Sequence, residues 1–127
     1  MVLSPTGQGI ERWWHQLPEE MKAGFATHDY WSYVDVRDVC VATSLSLTAS
    51  LSGHHAFLLA ADDNSARVPT VDLVEKYYSH LTWRNITMAE YLEMDPNSSL
   101  LDCRQAKQAL GWQPKYSHRN PSSGLTF

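Results

Sequence analysis

The chain has 127 residues, 43% of them hydrophobic and 19% charged, and a formal net charge of −4. That length suits one domain with its own core, and that balance of apolar and charged residues excludes a disordered tail. An acidic chain without a Lys/Arg cluster is a poor partner for nucleic acid or an acidic membrane.

Residues 1–9, with Pro5 and Gly7, read as a flexible N-terminus, residues 10–119 as a single α/β domain, and residues 120–127 as a flexible tail. Ile10, Trp13, Trp14 and Leu17 recur at helical spacing, and Pro18-Glu19-Glu20 restarts a helix with an acidic first turn. Residues 31–36 are rich in aromatic and β-branched side chains and predict a strand. Asp38 is positioned to cap the next helix, with Val39, Ala42, Leu45 and Ala49 facing inward, Thr43, Ser44, Ser46 and Thr48 facing out, and Ser52-Gly53 ending it. The apolar run 56–61 predicts a strand covered on both faces. Pro69 opens a helix over 70–78, residues 83–87 have strand composition, and Asp95-Pro96-Asn97 is a turn. The expected fold is α/β, a small mixed sheet with flanking helices.

The last element is the most informative. Asp102 can accept from the first backbone N–H groups of a helix, and Gln105 can reach back to it as in a capping box. Ala106, Ala109 and Leu110 form an apolar edge, Gly111 permits a left-handed close, Pro114 stops continuation, and Trp112 can fold back to seal the end. This stretch resembles the Asp-x-x-x-Ala-x-x-x-Leu-Gly-Trp-x-Pro ending of NAD(P)-dependent sugar epimerases and dehydratases of the extended short-chain dehydrogenase type. Residues 33–42 are similar to that family's strand-then-helix segment, residues 53–61 to its next strand, and residues 116–119 to a tail found in a subgroup. The resemblance spans residues 31–119 in family order.

Two family features are missing. The phosphate-cradling Gly-x-x-Gly-x-x-Gly turn has no counterpart, since Gly7 and Gly9 follow no strand. No Tyr is followed by Lys at a four-residue offset; Tyr33 with Arg37 comes nearest, and a guanidinium is a poor copy of the lysine that lowers a phenol's pKa. The resemblance therefore implies the C-terminal substrate lobe without its Rossmann half. No cofactor is expected for this chain alone, with NAD or NADP belonging to the full-length family.

Candidate ligand contacts are Asp62, Arg67, Arg84 and Tyr91, which follow expected strand ends or lie in loops. Asp62-Asp63-Asn64 reads first as a polar turn, and Asp35, Arg37 and Asp38 as a cap with an ion pair. His54-His55 is not expected to bind metal, because adjacent side chains on an extended chain point to opposite faces. Family members acting on nucleotide sugars usually carry an Arg two residues before the position of Tyr33, where it grips the diphosphate; here that position is Trp31, which favours a neutral sugar or a small hydrophobic ligand.

An isolated lobe must cover the face that its Rossmann partner would bury. Trp13, Trp14, Trp31 and Tyr30 are candidates for a rebuilt core, a homodimer interface or contact with a Rossmann-type partner. Cys40 and Cys103 read as small buried hydrophobes, and the Asn85-Ile86-Thr87 and Asn97-Ser98-Ser99 triplets as fortuitous glycosylation motifs. With no apolar run of about eighteen residues and no basic-then-apolar leader, a cytoplasmic protein off the membrane is expected. Three functions remain open: a ligand-binding lobe without redox activity, a cofactor-independent isomerase or proton-transfer enzyme, and an aromatic interaction module. A pocket at Asp62, Arg84 or Tyr91 points to the first, a buried His–Asp contact to the second and a flat Trp-lined face to the third.

Overall fold

The computed structural model describes residues 2–3, 16–18, 21, 26–93 and 95–117. Trp13, Trp14, Gly7, Gly9 and the tail 120–127 lie outside the described residues. Strand β1 (Val2–Leu3) pairs in parallel with β2 (Val34–Asp35), Val2 opposite Val34 and Leu3 opposite Asp35. Helices α1 (Val36–Thr48), α2 (Thr70–Tyr78), α3 (Met88–Leu92) and α4 (Arg104–Leu110) follow, with a 3-10 turn at Thr27–Asp29 ahead of β2.

The arrangement mixes helix and strand, but among the described residues the sheet is only this two-residue pair, smaller than the mixed sheet expected. Local chemistry explains the shortfall. Tyr30 and Trp31 adopt left-handed conformations (φ 52° and 54°), so the chain is turning where the strand was expected to start. At the other end Asp35 accepts from the Arg37 N–H at 2.9 Å and caps α1, so the helix begins at Val36. The cap is thus Asp35 and not Asp38; Asp38 lies inside the first turn, 1% exposed, with a different task described below. Residues 56–61 run extended without forming a ladder; the Ala61 N–H donates to the Tyr33 carbonyl at 2.7 Å. Over 57–59 only one face is covered, Phe57 and Leu59 packing on the core while Leu58 is 57% exposed, whereas Ala60 and Ala61 at the end of the run are both buried. Residues 83–87 are a loop as well, ending in the Thr87 cap of α3.

Two apolar clusters make up the described core. In one, Ala42 of α1 meets Ala60, Cys103, Ala106, Leu110 and Trp112, with Leu45, Ala49 and Phe57 at its margin. Small residues at 42, 60 and 106 let helix and extended backbone approach closely, and the Trp112 ring fills the remaining space. Cys103 belongs to this core, whereas Cys40 is exposed, contrary to its expected burial; both are free thiols. In the other cluster, Trp31 packs with Ala26, Ala66 and Leu73, bordered by Tyr77 and Tyr78 of α2. The Trp31 ring meets Tyr78 edge-on at 5.8 Å and Tyr77 at 5.6 Å.

Between the clusters, Asn64 ties two loops together. Its Nδ2 lies 2.9 Å from the Val68 carbonyl, 3.0 Å from Thr70 Oγ1 and 3.2 Å from the Asn97 carbonyl, and its Oδ1 accepts from the Arg67 N–H. Thr70 passes the link on to the Ser98 carbonyl at 2.7 Å. Helix α4 ends at Gly111, φ 65°. At its start the N-cap is Cys103, without a side-chain cap, so the expected Asp102–Gln105 box is not formed; Asp102 instead accepts from the Arg104 N–H and its carboxylate is bound by the Arg104 guanidinium.

Candidate ligand cleft

A cleft of about 270 Å³ opens beside the 3-10 turn, lined by His28, Asp29, Tyr30, Ser32, Tyr33, Val34, Leu59, Ala60 and Leu101. Its character follows from the turn. The Tyr30 N–H closes on the Thr27 carbonyl at 3.0 Å, Trp31 N–H on Ala26 at 2.9 Å and Ser32 N–H on Asp29 at 2.9 Å. Those bonds hold two successive non-glycine residues at positive φ, a conformation costing on the order of 1–3 kcal/mol each. The result is a division of labour between neighbours: Trp31 is wholly buried, while Tyr30 stays 42% exposed at the cleft.

Tyr30 is held in place. Its ring leans on Tyr78 at 5.5 Å, and the Tyr78 hydroxyl donates to the Thr27 carbonyl at 2.7 Å. Burial pushes the Tyr78 phenol above the usual tyrosine value, with Tyr30 adding to it. An apolar floor (Val34, Leu59, Ala60, Leu101) thus meets an aromatic face, a carboxylate, an imidazole and hydroxyls, the mixture expected of a small-molecule site.

The four residues singled out from sequence do not converge. Asp62 sits in a separate hollow of about 190 Å³, shared with Ala61, Asp63, Asp95, Pro114, Lys115, Tyr116 and Ser117, and is bound by Lys107 Nζ at 2.5 Å. Arg67 and Arg84 are exposed, Arg67 at a left-handed turn (φ 61°). Tyr91 is half-buried against Trp83, its hydroxyl donating to the Ser99 carbonyl at 2.7 Å; burial raises its pKa, with Asp102 contributing. The cleft residues His28 and Asp29 were missed because they carry no motif, and Tyr30 was expected only in a rebuilt core or an interface. Their one local signal is the bulky pair Tyr30-Trp31 in a left-handed turn, invisible without backbone angles.

The Tyr33–Arg37 pair does not fit a nicotinamide enzyme's proton relay. The Tyr33 hydroxyl donates to Asp63 Oδ1 at 2.5 Å, and the Arg37 guanidinium is bound by Asp35 at 2.8 and 2.9 Å. Burial alone would raise the Asp35 pKa, but those bonds to Arg37 outweigh it and hold the carboxyl below its usual range. The cation that would favour a phenolate is thus engaged by Asp35, and the pair is not poised to pass a proton during hydride transfer. The described histidines, His28, His54, His55 and His80, are all exposed, and His55 is turned back onto the Ser52 carbonyl at 2.9 Å. Trp31 and Trp112 are fully buried, leaving only Trp83 partly accessible among the described tryptophans. Among the described residues no cluster of three His, Cys, Asp or Glu side chains is placed to hold a metal, and no helix is long and apolar enough to cross a membrane.

Comparison with protein-family models, with curated proteins and with solved structures finds no match.

Proposed function

We propose that this chain is a ligand-binding lobe of the epimerase/dehydratase substrate-domain type, without redox activity of its own, and that its ligand is a neutral sugar-sized molecule held in the cleft at Tyr30. The observation that carries this reading is the cleft itself. An aromatic ring presented by a strained, hydrogen-bonded turn suits the apolar face of a pyranose, and Asp29, His28 and Ser32 suit its hydroxyls. Its volume, about 270 Å³, lies at the lower edge of small-molecule pockets and suits a single ring. Among the described residues no Arg or Lys lines it, which disfavours a diphosphate and agrees with Trp31 standing where nucleotide-sugar enzymes place an Arg.

The exposure of the described histidines leaves the proton-transfer alternative without a buried His–Asp contact among the described residues. The burial of Trp31 and Trp112 leaves the interaction-module reading without a Trp-lined face among the described residues. Redox chemistry in this scheme belongs to a Rossmann-type partner carrying NAD or NADP, and a homodimer is the other way to cover the partner face.

The test is an NMR titration of the chain with methyl glucoside, methyl galactoside, UDP-glucose, NAD and NADP. Neutral glycosides are expected to shift the Tyr30, Leu59 and Leu101 signals, with binding lost in Tyr30→Ala and largely kept in Tyr30→Phe. Saturable binding of NAD or NADP, or glycoside binding indifferent to Tyr30→Ala, would overturn the proposal.

A further inference from the structure

Tyr33 separates two cavities. It lines the 270 Å³ cleft, while its hydroxyl bonds to Asp63 at 2.5 Å and to Ser117 at 3.2 Å, both of which line the 190 Å³ hollow. The adjacent residues Ala60 and Ala61 line one cavity each, so the dividing wall is about one residue thick. Tyr33 is held in this wall by Asp63 and by the segment that follows α4, whose Ser117 bonds to both the Tyr33 hydroxyl and the Asp63 carboxylate.

Residues 112–117 are fastened at Trp112, Lys115, Tyr116 and Ser117. Asp38 turns both carboxylate oxygens onto them: Oδ1 accepts from the Lys115 N–H and Oδ2 from the Tyr116 N–H, each at 3.0 Å. Its carbonyl accepts from the Trp112 indole N–H at 3.0 Å, and the Arg37 guanidinium lies 3.5 Å above the Tyr116 ring. Beyond this clamp, the Ser117 hydroxyl donates to Asp63 Oδ2 at 2.7 Å, beside the tether of Tyr33. A buried carboxylate serving two backbone donors fixes their register more tightly than one neutral acceptor, because both bonds are charge-assisted.

We infer that residues 112–117 form a clasp, positioned by Asp38, that holds Tyr33 as the partition of the ligand cleft and thereby limits its occupant to one sugar ring. The inference rests on the ligand-binding reading of the cleft and adds to it a residue that sets ligand size. With the clasp closed, the phenol is tied at its far end and its rotamer is fixed; without the tether the ring regains torsional freedom and the two cavities communicate.

Three variants test this. Tyr33→Phe keeps the ring and removes the tether, Ser117→Ala loosens the clasp beyond its clamp, and Asp38→Asn places an amide N–H against a backbone N–H within the clamp. Methyl glucoside and methyl maltoside are titrated against each, while the Leu59 and Leu101 methyl signals report the wall. The expected result is a rise of about tenfold in disaccharide-over-monosaccharide preference in Tyr33→Phe, roughly the worth of one lost hydrogen bond, and a smaller rise in Ser117→Ala, where the bond of Tyr33 to Asp63 remains. A merely structural role predicts lower stability with that preference unchanged, and this outcome overturns the inference. If the parent chain binds neither glycoside, the proposed function fails, and the wall is judged by its methyls. Movement of Leu59 and Leu101 signals in Ser117→Ala supports the clasp; faster amide exchange at Lys115 and Tyr116 in Asp38→Asn with those methyls unmoved overturns it. Should Asp38→Asn not fold, Ser117→Ala decides, since it leaves the Asp38 clamp in place.

Discussion

Gly111 turns the end of α4 through φ 65°, and a Cβ built there meets nothing within 4 Å. A side chain at this site therefore has room but an unfavourable backbone. Gly111→Ala is expected to lower stability by about 1 kcal/mol, the left-handed penalty partly offset by a less flexible unfolded chain. Urea denaturation measures it, and a neutral result would mean that the helix end relaxes out of this conformation. Such positions are legible from sequence because Gly followed by Trp-x-Pro has a local meaning. Asp38 shows the opposite case. Two aspartates three residues apart, Asp35 and Asp38, offer equivalent local chemistry to a helix start. Which one caps is decided by Lys115 and Tyr116, whose N–H groups claim Asp38 from the far end of the sequence.

Short helices here depend on their caps more than on their length. Helix α3 has five residues and no buried side chain, too little to persist on propensity or burial. A reciprocal capping box holds it: the Thr87 hydroxyl accepts from the Glu90 N–H at 3.2 Å, and Glu90 Oε2 accepts from the Thr87 N–H at 2.9 Å and from its hydroxyl at 2.7 Å. Those bonds from the Thr87 hydroxyl and backbone hold the Glu90 carboxyl below its usual value. A folded-state pKa depressed in this way favours the capped helix above the ordinary glutamate range, and the benefit is lost as pH falls through the folded value. In Thr87→Ala, which keeps the backbone N–H, the Glu90 carboxyl, followed by carbon-detected NMR, is expected to titrate higher than in the parent, toward its ordinary value, while amides 88–92 exchange faster; an unmoved titration would refute the box. The Thr-x-x-Glu spacing of residues 87–90 announces this element, and strand composition at 83–87 masked it. Helix α2, opened by Pro69 and packed through Leu73 and Val74, was legible because its apolar period and its start signal agree.

Across the whole molecule, apolar packing and buried polar links divide the work. Asn64, 1% exposed, joins residues 67–70 to Asn97 through four side-chain hydrogen bonds, three to the first and one to the second. Asn64→Ala is expected to cost about 1–3 kcal/mol, because it removes a partner of the buried Thr70 hydroxyl and of the part-buried Val68 and Asn97 carbonyls and the Arg67 N–H. Asn64→Asp should be worse than Ala at neutral pH, placing a second acceptor against Val68, Thr70 and Asn97 oxygens. Thermal denaturation of the two variants gives the order, and an aspartate variant as stable as the parent would show that the loops do not depend on this hub.

The sequence by itself determined the helices with complete local signals: the inward stripe of α1, with Ala42 buried and Thr43, Ser44, Ser46 and Thr48 exposed, the Pro69 start of α2, and the Gly111 close of α4. Periodicity and capping act over a few residues, so they can be read along the chain. Only the tertiary structure decided how little of the expected sheet forms among the described residues, because strand length depended on the Tyr30–Trp31 turn and the Asp35 cap acting together. It also decided the cleft. The lining of Tyr30, Tyr33, Leu59 and Leu101 is drawn from three separated stretches, brought together by bonds such as Ala61 to Tyr33 and Ser117 to Asp63. Contacts of that span have no signature in local sequence, since each partner's residue type serves equally well at an ordinary surface.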